Sequence, residues 1–221
     1  MDRSPQGVIG VDEAGRGPVL GPMVVAAVAV SDLDQLPDGI ADSKQLSPEQ
    51  RLTVASRLRE SSAIEICTEI VPPIIIDLPE SNLNSLTIDA MATVVDHVAS
   101  PKMVSIVDAG GPDPVKFAER LKSQITTDID IIAEHGADDT YAIVGAASII
   151  AKVERDQRLS KLSEKYGPVG SGYPSDPTTR KFMKTFIGKN GKLPPCARAS
   201  WKTSKDLLSA QSQIDLGEYT D

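Results

Sequence analysis

The chain has 221 residues and a hydrophobic fraction of 40%, enough for a buried core and in keeping with one globular domain carrying an appendage. No apolar run reaches bilayer length, and no basic segment followed by a hydrophobic core opens the chain, so no membrane span or secretory leader is expected and a cytoplasmic location is. The formal net charge of −8 argues on average against a polyanionic partner, but residues 1–151 carry 10 Lys/Arg and 23 Asp/Glu, residues 152–205 carry 13 and 4, and the last 16 carry 0 and 4.

An acidic body therefore precedes one basic segment, in which Tyr173 and Trp201 are interleaved with cations, a mixture suited to sugar-phosphate contact. Cys67 and Cys196 share no metal-ligand spacing and form no disulfide framework.

In chain order, three β-rich runs come first, at 8–12, 23–30 and 64–71, with a helix signalled by Ser47-Pro48-Glu49 between the second and third. Tight links between successive strands suggest antiparallel pairing. After the turn-rich "VPPIIIDLPESNLN", residues 85–98 have helical periodicity through Leu86, Ile88, Met91, Val94, Val95 and Val98. The run "KMVSIVDAGG" reads as a buried strand ending at Asp108, followed by a helix over 114–123 and a strand "DIDIIAEH", an alternation that implies parallel pairing.

A long helix is expected over 139–165, capped by Asp139 or Thr140 and ended by Gly167-Pro168. Residues 170–195 read as loop with a short helix at 178–187. Residues 199–210 look helical, and the acidic tail beyond Gln211 reads as frayed.

Four acids stand at element ends: Asp12 and Glu13 after the first strand, Asp108 after the fourth, and Asp138 at the turn into the long helix. Adjacent strand residues point to opposite faces, so joint action of Asp12 and Glu13 requires the backbone to leave strand geometry there. Gly15 and Gly17 supply the freedom. Clustered carboxylates are tolerable only around a cation or with raised pKa values, and hard oxygen ligands suit Mg²⁺ or Mn²⁺. Two such ions can activate water and stabilise the leaving oxygen of a phosphodiester. Neither histidine, His97 nor His135, accompanies a Ser or Cys in a nucleophile elbow, and "GVDEAGRG" matches neither the Walker pattern nor the dinucleotide fingerprint.

The blocks "DEAGRGPVLGP", "DSKQLS", "LNSLTIDAM", "VDAGG", "ADDTYAIVGAASIIAKVERD" and "GSGYPSDPTTR" together resemble type 2 ribonuclease H, and "RASWKT" is similar to its archaeal branch. The resemblance implies an α/β fold, a ribonuclease H-like five-stranded mixed sheet flanked by helices, with a small helical C-terminal appendage. A catalytic domain over 1–168 and a substrate-binding segment over 169–221 are expected. It further implies a metal-dependent endoribonuclease that cleaves the RNA strand of RNA–DNA hybrids and nicks duplex DNA 5′ of embedded ribonucleotides.

Carried over, Asp12, Glu13, Asp108 and Asp138 become the catalytic carboxylates that hold two Mg²⁺ or Mn²⁺ ions, while Asp139 is the helix cap. Gly15, Arg16 and Gly17 match the substrate-reading turn, and Tyr173 matches the tyrosine that packs at the ribose–deoxyribose junction. A reader of one 2′-hydroxyl must bring backbone close to the sugar edge, which glycine permits, and Arg16 can hold the adjacent phosphate.

Lys44, Ser148 and Lys152 are candidates for orienting the acids or touching phosphate. Gly145 departs from the family, whose members commonly have serine there, at a helix cost of about 1 kcal/mol relative to alanine. A monomer is expected. A sliding clamp is a candidate partner through "QSQIDLGEY", although Gly217 and Glu218 stand where the clamp motif needs aromatics.

Two other classes compete. A phospho-acceptor signalling domain also gathers acids around Mg²⁺ but has no use for the glycine-arginine-glycine turn or the basic segment. A catalytically silent hybrid-binding module would have no need of all four carboxylates.

Overall fold

Small apolar residues dominate the first two strands because both are covered on two faces, and β2 (Met23–Val30) is buried along its whole length. The structure, a computed structural model, describes residues 6–40, 46–80 and 82–218, the last five by backbone alone. β1 (Val8–Ala14) pairs antiparallel with β2 in a register running from Val8↔Val30 to Ala14↔Val24. On its other side β1 pairs in parallel with β4 (Val104–Asp108), from Val8↔Val104 to Val11↔Val107, and β4 pairs in parallel with β5 (Asp130–Glu134). With β3 (Ile64–Val71) beside β2, the order is β3-β2-β1-β4-β5, the mixed five-stranded sheet that the sequence implies.

The helices are α1 (Pro48–Glu60), α2 (Pro73–Ile76), α3 (Leu83–Val98), α4 (Pro114–Lys122), α5 (Ala137–Thr140), α6 (Ala142–Tyr166), α7 (Pro177–Asn190) and α8 (Lys202–Glu218). Side-chain caps fix several starts. Ser47 forms a reciprocal capping box with Gln50 at α1, Asn82 caps α3, and Asp113 caps α4 with Pro114 in its first turn.

Two compact units interleave along the chain: Met1–Ala14, Val24–Ile70 and Asn82–Glu154 form one, and Gly15–Met23, Val71–Ser81 and Arg155–Asp221 the other. In the first, one face of the sheet is sealed by Val24, Ala26, Val28 and Val30 of β2, Val54, Ala55 and Leu58 of α1, and Ile143, Ala147, Ile150 and Ala151 of α6. Gly10 lies on this face. A Cβ there would collide with the backbone of Ile143, so the absence of a side chain lets α6 lie directly against β1. The other unit has its own core of Val19, Leu20, Leu159, Val169, Met183 and Ile187.

Several boundaries differ from the sequence reading. The helix expected over 139–165 is broken at Tyr141, whose extended backbone separates the single turn α5 from α6. Asp139 therefore lies in the first turn of α5 and does not cap the long helix. The turn-rich stretch around Pro72-Pro73 contains α2. α7 starts one residue earlier than expected and ends three later, and α8 continues to Glu218 where a frayed tail was expected. The division between the units falls between Glu154 and Arg155 inside α6, whereas the sequence reading placed a boundary at 168/169. The shift from acidic to basic composition at 151/152 lies close to this division, but α6 runs through it without a break, so no loop or turn residue marks it. No helix among the described residues is long and apolar enough to cross a membrane.

Candidate active site

In the first unit, the parallel pairing of Val11 with Val107 sets β1 beside the C-terminal end of β4, with Asp12 and Asp108 as the next residues of each. The even-numbered side chains of β1 share the face covered by α6, so Asp12 points toward that helix. Asp138 is supplied by α5, which starts at Gly136 in the left-handed conformation (φ 65°). The amides of Gly136 and Ala137 donate to Asp108 Oδ1 at 2.8 and 3.3 Å, which ties the start of α5 to the end of β4. As a result, one carboxylate oxygen each from Asp12, Asp108 and Asp138 lies within 4.8 Å of the others, the only such metal-competent group among the described residues. Asp12 is 4% exposed and Asp138 7%.

The Asp12 carboxylate accepts the Glu13 amide at 2.7 Å and the hydroxyl of Ser148. Ser148 is fully buried on α6 and in turn accepts a hydrogen bond from Lys152 Nζ at 2.8 Å, one helical turn further on. Burial pushes the Asp12 carboxyl well above its ordinary range. The charges of Glu13 and Asp108 push in the same direction, and the Ser148 hydrogen bond opposes them.

Glu13 is placed differently from expectation. β1 stays paired with β2 through both acids, Asp12↔Ala26 and Glu13↔Val25, so the two side chains leave on opposite faces. The backbone leaves strand geometry only at Gly15, with φ at 95°. Glu13 lies outside the three-acid group, yet its charge is the largest electrostatic influence on Asp12.

In the second unit, Gly15 sits where a Cβ would meet Pro22 O at 2.8 Å and Arg155 Cδ at 2.7 Å, so both its positive φ and its surroundings demand glycine. A Cβ on Gly17 would touch the Tyr173 ring at 3.5 Å. That ring is 41% exposed and lies against the Arg155 guanidinium at 5.3 Å. Arg155 is itself buried and donates to Ser171 O at 2.8 Å.

The loop carrying Tyr173 is fixed by Asp176, which accepts from the Ser171 amide at 2.6 Å and the Thr178 amide at 2.8 Å. These bonds hold its carboxyl down to about 2. The loop also joins the turn: Val19 and Leu20 donate to Gly172 O at 2.8 and 3.2 Å.

The family model for ribonuclease HII matches residues 9–204. Ribonuclease HII from Haloarcula marismortui is 47% identical over 211 residues, covering 95% of this chain and 99% of that protein. Among solved structures, ribonuclease H2 from Pyrococcus horikoshii OT3 matches with a TM-score of 0.87 and 37% identity, over 94% of this chain and 99% of that one. A chain of the PCNA:RNase HII complex from Archaeoglobus fulgidus matches with a TM-score of 0.82 and 37% identity, over 90% and 96%. This chain belongs to the ribonuclease HII family.

It is accordingly a ribonuclease H enzyme. Of the site residues expected from the resemblance to ribonuclease HII, Asp12, Asp108, Asp138, Ser148 and Lys152 are brought together in one unit, and Gly15, Gly17 and Tyr173 in the other. Arg16 lies within the same turn, half-buried. Lys44 lies outside the described residues.

Gly145 faces the Asp138 carbonyl and Ile40. A Cβ would come within 3.3 Å of both, so glycine eases the contact between α6 and the α5 turn. Sequence reasoning missed Arg155 and Arg198, two arginines that the fold buries. Arg198 stands as a cation among small or apolar neighbours in "PPCARAS", whereas Arg155, between two acids in "AKVERD", reads like an ordinary surface cation.

Proposed function

We propose that this ribonuclease H enzyme cuts the RNA strand of RNA–DNA hybrids and nicks duplex DNA on the 5′ side of an embedded ribonucleotide, leaving 5′-phosphate and 3′-hydroxyl ends. The observation that carries this reading is the convergence of Asp12 from within β1, Asp108 at the end of β4 and Asp138 in the first turn of α5, in a chain of this family. Three carboxylates this close repel one another. Burial, then the charge of Glu13, and then that of Asp108 push the Asp12 carboxyl up. The donor set is all oxygen and anionic, which fits Mg²⁺ or Mn²⁺, two ions in the reactive complex, with Glu13 as the fourth proposed ligand. When bound, such ions supply activation of the attacking water and stabilisation of the leaving 3′ oxygen.

The chain's own residues do the positioning. The amides of Gly136 and Ala137 hold Asp108, and Lys152 acts through Ser148 to hold Asp12. Gly15, Arg16 and Gly17 read the ribonucleotide, with Arg16 on the neighbouring phosphate and the exposed Tyr173 ring against the sugar junction. The Archaeoglobus relative solved with PCNA supports a sliding clamp as a partner for this chain as well. The tail segment with Gln211 and Ile214 is the candidate contact, although it has Gly217 and Glu218 in place of aromatics.

Asp108→Asn and Asp138→Asn test the assignment on a labelled RNA–DNA hybrid with Mg²⁺ and, separately, Mn²⁺. Both variants are expected to keep the fold and to lose cleavage. Near wild-type rates in either variant would remove these acids from the mechanism.

A further inference from the structure

The loop between α7 and α8 delivers a fully buried arginine to the back of the Gly15–Gly17 turn. Arg198 is 0% exposed. Its Nη2 donates to Gly15 O at 2.5 Å, its Nη1 to Arg16 O at 2.8 Å and its Nε to Gly21 O at 3.1 Å, while its own amide donates to Val19 O at 2.8 Å. Trp201, three residues on, donates from Nε1 to Gly17 O at 3.4 Å and lies with its ring 5.0 Å from the Arg198 guanidinium. Asp77 secures the loop between them by accepting the amides of Ala199 and Ser200 at 2.6 and 2.9 Å. Each carbonyl of the glycine-arginine-glycine turn is therefore held from behind, two by one guanidinium and the third by the indole.

We propose that Arg198 and Trp201 are positioning residues for ribonucleotide recognition, fixing the Gly15–Gly17 turn with its carbonyls turned inward so that its opposite edge meets the sugar. This rests on the reading of the turn as the ribonucleotide reader. In a trans peptide the C=O and N–H point in opposite directions, so a carbonyl of Arg16 directed at Arg198 turns the amide of Gly17 away from it. Gly17 is exposed and adjoins the Tyr173 ring, so that amide is carried on the side where a sugar would approach. A 2′-hydroxyl both donates and accepts, and an oriented amide is the donor it needs.

Structural stapling alone is a poor account of this arrangement. Burying a guanidinium is costly, and apolar packing would serve a purely structural joint as well or better. Here burial, together with the nearby charge of Arg155, lowers the Arg198 value only to about 10, so the group stays cationic at neutral pH behind a turn that must attract a phosphate. A planar fork with three directed donors meets three carbonyls at once, which an ammonium cannot reproduce.

The test uses Trp201→Phe, which keeps an aromatic ring beside Arg198 and removes the indole N–H together with the five-membered ring that carries it, and Arg198→Lys, which keeps the charge and removes the fork. Two probes are compared by equilibrium binding with chelator present, so that neither is cut: a DNA duplex containing one ribonucleotide and the same duplex made wholly of DNA. The readout is the ratio of the two Kd values, in which any loss of folded protein cancels. Wild type is expected to prefer the ribonucleotide duplex, Trp201→Phe to lose about threefold to tenfold of that preference while remaining folded, with a modestly lowered Tm, and Arg198→Lys to lose more. If Arg198→Lys fails to fold, Trp201→Phe decides alone. An unchanged ratio in Trp201→Phe, with wild-type preference intact, would overturn the positioning role. Absence of preference in wild type, or a wild-type preference left unchanged by Arg16→Ala, would overturn the reader assignment on which it rests.

Discussion

Asp12→Asn should stabilise the metal-free protein while abolishing its activity. Asparagine keeps the shape of the side chain and an oxygen that can accept the Glu13 amide and the Ser148 hydroxyl, so the substitution removes a charge and little else. Like charges no more than 4.8 Å apart, as for Asp12 and Asp108, repel by about 3 kcal/mol at an effective dielectric constant of ~20. Water reaching the half-buried Asp108 reduces the net to about 1–2 kcal/mol. At about 2–4 °C per kcal/mol for a chain of this size, Tm should rise by roughly 2–8 °C.

The sign follows from linkage. Because the folded-state value of Asp12 is raised above its unfolded value, metal-free wild type loses stability as pH climbs from the ordinary carboxylate range toward that raised value, and the loss is complete above it. The variant lacks this loss, so the two melting curves should converge in acid and separate at alkaline pH. Calorimetry in chelator from about pH 4 to pH 9, repeated with Mg²⁺, measures both effects. Added Mg²⁺ should then stabilise wild type more than the variant. An Asn variant that melts below wild type in chelator at alkaline pH, or a wild type that gains nothing from Mg²⁺ or Mn²⁺, would refute the reasoning.

Two further predictions concern the sheet and the basic segment. Gly10→Ala forces a methyl group into the backbone of Ile143 and should cost about 1–3 kcal/mol, or more if α6 cannot shift, read as a lowered denaturant midpoint; an unchanged midpoint would mean that α6 does not lie on β1 as described. Binding to a hybrid should weaken with rising salt, and replacing Lys181, Lys184 and Lys189 on α7 with Gln should flatten the log–log slope by about 0.7–0.9 for each phosphate that is no longer neutralised. An identical slope in the triple variant would remove α7 from the nucleic-acid interface.

The sheet was legible because its signals are local: apolar runs of strand length, turn residues between them, and acids at their ends. Placement of the acids in the sheet was less so. Whether Asp12 and Glu13 share a face depends on where β1 stops, and that is decided by seven paired residues on β2 rather than by the glycines that follow. The break at Tyr141 was equally hidden, since the helical pattern of residues 139–165 runs through it unchanged. It becomes visible only when the start of α5 is seen tied to Asp108. Arg198 reaches Gly15 across 183 positions of sequence, and such a pairing leaves no trace in composition or periodicity. The extension of α8 to Glu218 ran against an acidic, glycine-containing sequence that gives only weak helix signals.

The most direct measurement is to incubate the protein on a labelled DNA duplex containing one ribonucleotide, and on an all-DNA duplex, with Mg²⁺ or Mn²⁺ and then with excess chelator. The account predicts a single nick on the 5′ side of the ribonucleotide, present with metal, abolished by chelator and absent from the all-DNA duplex. A duplex that is bound but left intact under both metals would contradict it, and would make the three converging acids part of a hybrid-binding module without catalysis.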